Sequence, residues 1–281
     1  MTLQLILVAT FGAFIGSFLN VVIWRMPRGE KFAGGRSHCP HCGEMIVWHD
    51  NIPILSYLVL RARCRHCSKR ISMRYPLIEA LTAGVFALSW WRVHEQGQDP
   101  VIMAAVIYSA FGAVLVAASA IDFEHKILPD KLTLRTLPVI AVAGSLLVPT
   151  IHGTELFGHD LAAGGAMKPA LASLLVGLVG GLIGAGAVWT IRAVGTLALK
   201  REAMGLGDVK LWGACGLLLG PGGAMLGLGV AVLAGGLLGV AIWVATRNRE
   251  IPFGPFLAIG ALAVLWYREP IREFVRTVYG I

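Results

Sequence analysis

Long apolar stretches alternate along the chain with short polar ones, and four run without a single charge: Leu3 to Trp24, Val101 to Ile121, Pro169 to Ile191, and Leu211 to Thr246. About 20 apolar helical residues cross a hydrocarbon core of roughly 30 Å. Each run is therefore long enough to span a membrane. The last, at 36 residues, exceeds one crossing and is interrupted by Pro221, Gly222 and Gly223, a turn signal that divides it into two spans. Three weaker runs complete the set: Tyr75 to Trp91, which contains Glu79; Leu132 to Ile151, which contains Arg135; and Ile251 to Tyr267. Backbone amides in lipid must be satisfied within their own segment, so the spans are predicted to be helices. The pattern thus predicts an all-α polytopic membrane protein with about eight transmembrane helices. Its first run is preceded by no basic residue and is too long for a signal-peptide apolar region, so it is expected to be retained as a helix.

Composition agrees with the pattern. Of 281 residues, 56% are hydrophobic and 14% charged, against about 25% charged in a soluble domain. Apolar surface on this scale is too much for one core and must face lipid. The 35 glycines sit inside the apolar runs, where small residues let helices approach closely. This excludes disorder and a collagen-like chain.

A net charge of +8 raises nucleic acid as a partner, but the distribution of the charge favours topology. With eight spans, nineteen Lys and Arg fall on one face: ten between Arg25 and Arg74, then Lys126, Lys131, Arg135, Arg192, Lys200, Arg201, Lys210, Arg247 and Arg249. Five fall on the other: Arg92, Lys168, Arg268, Arg272 and Arg276. The basic face is expected to be cytoplasmic and to meet anionic lipid, with both termini outside and no nucleic-acid partner. The organisation expected is a first transmembrane helix (1–24), a cytoplasmic loop (25–74) and a seven-helix membrane domain (75–281).

The cytoplasmic loop reads Cys39-Pro-His-Cys42, then 21 residues, then Cys64-Arg-His-Cys67. Two CxxC knuckles at this separation predict a zinc site, because four thiolates close a tetrahedron. Four cysteines leave no open position, so the zinc is expected to be structural and to supply much of the folding free energy of a loop too short for a large core. Disulfides are the alternative, disfavoured in a reducing cytoplasm. His41 and His66 are read as solvated loop residues, and Cys215 as packing inside a span.

Carboxylates at membrane depth are costly and so are functional candidates. Asp122 ends the third span, and Asp208 opens the sixth within Met204-Gly-Leu-Gly-Asp208-Val-Lys210. They lie 86 residues apart in sequence, yet the topology puts both at the cytoplasmic boundary. Two adjacent carboxylates share one proton, the ionised one activating water and the protonated one polarising a carbonyl. Aspartic-protease chemistry is the expectation, with Gly205 and Gly207 allowing close approach of a substrate strand. Asp130 is read as an N-cap, Glu124 as a solvated neighbour, and Lys210 as reaching to headgroups rather than pairing with Asp208. Glu79, a turn inside the second span, calls for a partner such as Arg74 or a bound ligand, and is the candidate cofactor-binding residue.

Taken in order, the motifs resemble bacterial type IV prepilin peptidases, the bifunctional leader peptidases and N-methyltransferases of the GxGD membrane aspartyl class. The matching residues are Gly16-Ser-Phe-Leu-Asn20 through Pro27, both knuckles, Asn51-Ile-Pro-Ile-Leu-Ser-Tyr-Leu58, Arg74-Tyr-Pro-Leu-Ile-Glu79, Asp122 with Leu128-Pro-Asp130, Met204 through Leu211, and Ile251-Pro-Phe-Gly-Pro-Phe256. The resemblance implies cleavage of prepilins and pseudopilins of type IV pilus or type II secretion systems, at the cytoplasmic face of the bacterial inner membrane. The cut would follow a glycine that ends a basic leader. It also implies methylation of the new amino terminus from S-adenosylmethionine, with Asp122 and Asp208 as the catalytic pair and the knuckles as the insertion of bifunctional members. The methyl donor enters only by resemblance, since no GxGxxG follows a strand. A peptidase without methylation, or a transporter relaying protons through the carboxylates, are the alternatives. The segment from His152 to Lys168 carries no motif.

Overall fold

The structure is a computed structural model that describes residues 1–31, 37–97, 100–149, 154–156, 159–202, 204–246 and 252–279. Arg36, Ile151, part of the His152–Lys168 segment, Arg247, Arg249 and Ile251 lie outside the described residues. The chain is mostly helical and divides into two compact units, Met1–Trp91 and Arg92–Ile281.

In the first unit, α1 (Thr2–Arg25) covers the first apolar run and passes into a 3-10 turn at Met26–Arg28. The cysteine loop follows, with a 3-10 turn at Trp48–Asn51 and a short helix α2 (Leu55–Val59). It leads into α3 (Arg74–Glu95). Helices α1 and α3 run antiparallel: the Phe11 and Phe86 rings meet edge-on at 5.9 Å, and the Asn20 amide donates to the Tyr75 carbonyl at 3.1 Å. First and last contacts in reversed order define a helical hairpin with the loop at its closed end.

In the second unit, α4 (Val101–His125) is followed by a π-helical turn (Lys131–Thr136), α5 (Leu137–Leu147) and a two-stranded hairpin, β1 (Glu155–Leu156) with β2 (His159–Asp160). Then come α6 (Pro169–Leu199), α7 (Leu206–Thr246) and α8 (Gly254–Tyr279). Helix α4 ends where Lys126 adopts a left-handed conformation and its N–H bonds the Asp122 carbonyl at 2.8 Å, with Pro129 barring continuation. Glycine meets glycine where α6 crosses α7, at Gly180 and Gly216, so the backbones touch.

Four described helices are long and apolar enough to cross a membrane: Thr2–Arg28, Val101–His125, Pro169–Leu199 and Leu206–Gly239. They coincide with the four uncharged runs of the sequence. The three weaker runs also form helices, in α3, α5 and α8. The expected division of the long run lies one residue early, at Gly220, whose φ of 69° and ψ of 176° break the helix directly before Pro221. The Trp212 indole lies against Gly227, where an added Cβ would approach it to 3.0 Å. An unbroken helix would hold those residues roughly 22 Å apart, so α7 folds back on itself at the break.

Candidate active site

Asp122 stands in the last turn of α4 and Asp208 in the first turn of α7, and both are buried. Asp208 lies close enough to Asp122 to feel its charge, and Gly205 gives the Asp208 carboxylate a backbone hydrogen bond. The structure thus brings together the two carboxylates singled out in the sequence. The start of α7 is fastened to the segment after α4 at two points. Gly207 packs on Leu128 so closely that a Cβ would lie 2.9 Å from the Leu128 Cβ. Two residues beyond Asp208, Lys210 Nζ reaches Asp130 Oδ1 at 2.7 Å.

That ion pair corrects two expectations. Lys210 does not extend freely to headgroups but finds a carboxylate 80 residues away in sequence. Asp130 stands at the start of the π turn without capping it, because its side chain is turned to Lys210. A third element enters the site where the sequence assigned no role: the Gly254 N–H, at the start of α8, donates to Asp122 Oδ2 at 2.9 Å.

In the first unit, the four cysteine sulfurs lie within 4.8 Å of one another, and Cys39 Sγ and Cys67 Sγ are 3.9 Å apart. A disulfide needs about 2.05 Å. Sulfurs each about 2.3 Å from a tetrahedral zinc stand roughly 3.8 Å apart, so the donor set fits that metal. Both knuckles are built alike. The Cys39 N–H bonds the Glu44 carbonyl and the Gly43 N–H returns to Cys39; the Cys64 N–H bonds Lys69 and the Ser68 N–H returns to Cys64. The turning residues, Gly43 and Ser68, share a positive φ. Backbone N–H groups of Cys67 and His66 draw the Cys64 thiol down to about 6, toward the thiolate a metal needs. His41 and His66 stand outside the cluster. Arg65, inside the second knuckle, clasps Asp50 through two hydrogen bonds of 2.7 and 2.6 Å and holds its carboxyl below the usual range.

Glu79 is buried in α3, and its partner is not Arg74. Its Oε2 accepts the Ile54 N–H at 2.7 Å, and Ser17 of α1 hydrogen-bonds the carboxylate as well. Arg74 instead stacks near Tyr75 and Trp24. Ile54 has a φ of 62°, an outlier for a β-branched residue that no sequence signal announces.

Two buried aspartates brought together at helix ends among apolar helices are the arrangement that aspartic-peptidase chemistry calls for. Residues 10–93 match the bacterial peptidase A24 N-terminal domain and residues 109–240 the type IV leader peptidase family. The chain is 36% identical to a type 4 prepilin-like proteins leader peptide-processing enzyme of Escherichia coli O78:H11, over 93% of each chain. It is 33% identical to a prepilin leader peptidase/N-methyltransferase of Xanthomonas campestris pv. campestris, over 95% of this chain and 93% of the other. A protein of the same name from Aeromonas hydrophila is 36% identical over 92% and 90%. No solved structure matches the chain significantly. The chain belongs to the type IV leader peptidase family.

Proposed function

We propose that the chain cleaves the leader peptide from type IV prepilins and pseudopilins through Asp122 and Asp208, and methylates the amino terminus so exposed with S-adenosylmethionine. The observation that carries the cleavage reading is the burial together of two carboxylates 86 residues apart in sequence, close enough for one to feel the other's charge and so suited to sharing one proton. The ionised carboxylate takes a proton from water, whose oxygen attacks the scissile carbonyl carbon. The protonated partner gives its proton to the carbonyl oxygen. On collapse of the tetrahedral intermediate the carbonyl re-forms, the C–N bond breaks and the leaving nitrogen is protonated, so the pair regains one proton between them.

The names of the relatives support methylation. S-adenosylmethionine would supply an electrophilic methyl group, and the first unit offers acceptors suited to its ammonium or amine groups: the Glu79 carboxylate and Asn20 Oδ1, a buried oxygen with no hydrogen-bond partner. Cys39, Cys42, Cys64 and Cys67 would hold a structural zinc, with no position left for a reacting water. Eight spans in the bacterial inner membrane, with the aspartates at the cytoplasmic face and the basic loops on anionic lipid, complete the reading.

The test is mass analysis of a prepilin incubated with purified enzyme and labelled S-adenosylmethionine. Leader loss plus one labelled methyl is expected; leader loss alone would remove methylation from the reading. Asp122→Asn and Asp208→Asn should each abolish cleavage in folded protein, and the double variant should be no worse than either. Asp130→Asn should keep substantial activity, because the exposed pair it makes with Lys210 is worth at most about 1 kcal/mol. Cleavage by folded Asp122→Asn together with its loss in Asp130→Asn would overturn the choice of carboxylate.

A further inference from the structure

Helix α8 begins in a way that leaves one amide for an outside acceptor. Of its first N–H groups, those of Phe256 and Leu257 both turn back to the Phe253 carbonyl, at 3.0 and 3.1 Å. Pro255 has none. Only the Gly254 N–H remains, and it points at Asp122 Oδ2, 132 residues away. The approach is so close that a Cβ at position 254 would lie 2.5 Å from Oδ2 and 3.1 Å from Cγ, which makes glycine the one residue that fits without displacing the carboxylate.

Asp122 needs such a partner. It stands in the last turn of α4, where the unpaired carbonyls present negative charge to its carboxylate. The amino end of α8 brings the opposite partial charge. We propose that Gly254 is a positioning residue for cleavage: its N–H fixes the Asp122 carboxylate by Oδ2, leaving Oδ1 for the attacking water and the shared proton. The Pro252-Phe-Gly-Pro255 sequence is then a device for delivering a single amide to a catalytic oxygen.

The inference rests on the reading of Asp122 as catalytic, and its test separates the two. Full-length enzyme is prepared with a backbone ester at position 254, glycolate in place of glycine, which removes the N–H and adds no atom. Gly254→Ala is prepared beside it, with Gly229→Ala, at an exposed glycine where a Cβ meets nothing within 4 Å, as control. The ester enzyme should lose about tenfold to hundredfold in kcat, the usual worth of one hydrogen bond to a charged group, with KM little changed. Its pH profile for cleavage should shift, because the lost bond favoured one protonation state of the pair. Methylation of a pre-cleaved pilin should be unaffected. Gly254→Ala should lose more, and Gly229→Ala nothing. An ester enzyme with wild-type kcat and pH profile overturns the proposal even if Gly254→Ala is inactive, and so does a lower kcat with an unmoved profile. If Asp122→Asn itself still cleaves, the catalytic reading falls first; if that variant is dead and the ester fully active, only the role of Gly254 falls.

Discussion

Glu79 shows how one buried carboxylate ties separate segments together. Its carboxylate joins α1 through Ser17 and the cysteine loop through Ile54, whose backbone, at φ 62° and ψ −50°, forms a strained γ-turn that costs on the order of 1–3 kcal/mol. The 2.7 Å hydrogen bond from Ile54 to a buried carboxylate offsets that strain. Glu79→Gln keeps an acceptor oxygen but loses the charge, and charge-assisted bonds are roughly twice as strong as neutral ones. A loss of about 1 kcal/mol at this anchor follows, and it falls on the unit that carries Glu79, not on the aspartates. Methylation by Glu79→Gln should therefore drop several-fold while cleavage changes little, both rates being measured on one preparation. Equal loss of both in folded protein would show that the residue serves only the general stability of the chain.

At the scale of an element, the cysteine loop is held by a few polar contacts, the Arg65–Asp50 clasp and the Ile54–Glu79 hydrogen bond, and by whatever its four sulfurs bind. Among its described residues Trp48, Leu55, Leu58 and Val59 are all exposed, so apolar burial contributes little, and the two knuckles come together at their four sulfurs. Cys39→Ser or Cys64→Ser should lower bound metal from about one per chain, make the loop protease-sensitive and depress methylation. Elemental analysis and limited proteolysis on reduced, chelator-free protein check this; a wild-type chain without stoichiometric metal would sink it. The knuckles were legible in the sequence because spacing alone determines which sulfurs can share an ion. The four uncharged spans were legible because lipid demands a continuous apolar run. Contacts between distant elements were not. Nothing in the sequence around Lys210 points to Asp130, and nothing around Asp122 points to Gly254, because such pairs depend on which helix ends meet. The break in α7 falls at Gly220 rather than at Pro221 because proline constrains the residue before it, and a glycine there takes up the turn at low cost.

The number of spans is a property of the whole molecule, and the carboxylate site constrains it. Asp122 ends α4, Asp208 opens α7 and Gly254 opens α8, and the three meet. Between any two points on one face of a membrane the chain must cross an even number of times. With both aspartates at one face, as proposed, the chain passes through α5 and α6 between them; α6 is long and apolar enough to cross, so the shorter α5, with the π turn before it, would have to cross as well. Among the described residues from Asp208 to Gly254 the helix is α7, which would then cross out and back, as its reversal at Gly220 allows. On the proposed arrangement the second unit would make six crossings and α1 and α3 two more, the number expected from the apolar pattern, where four described helices are long and apolar enough to span a membrane by themselves. The proposed orientation, with the aspartates toward the cytoplasm, rests on the nineteen-to-five split of basic residues. Reporter fusions after Gln96 should then read as exterior and fusions at Gly195 as cytoplasmic. A fusion at Leu219 should read as exterior, since it sits at the turn of α7. A cytoplasmic reading there would mean that α7 does not cross where the meeting of Gly254 with Asp122 requires it to, and the eight-span arrangement would fail with it.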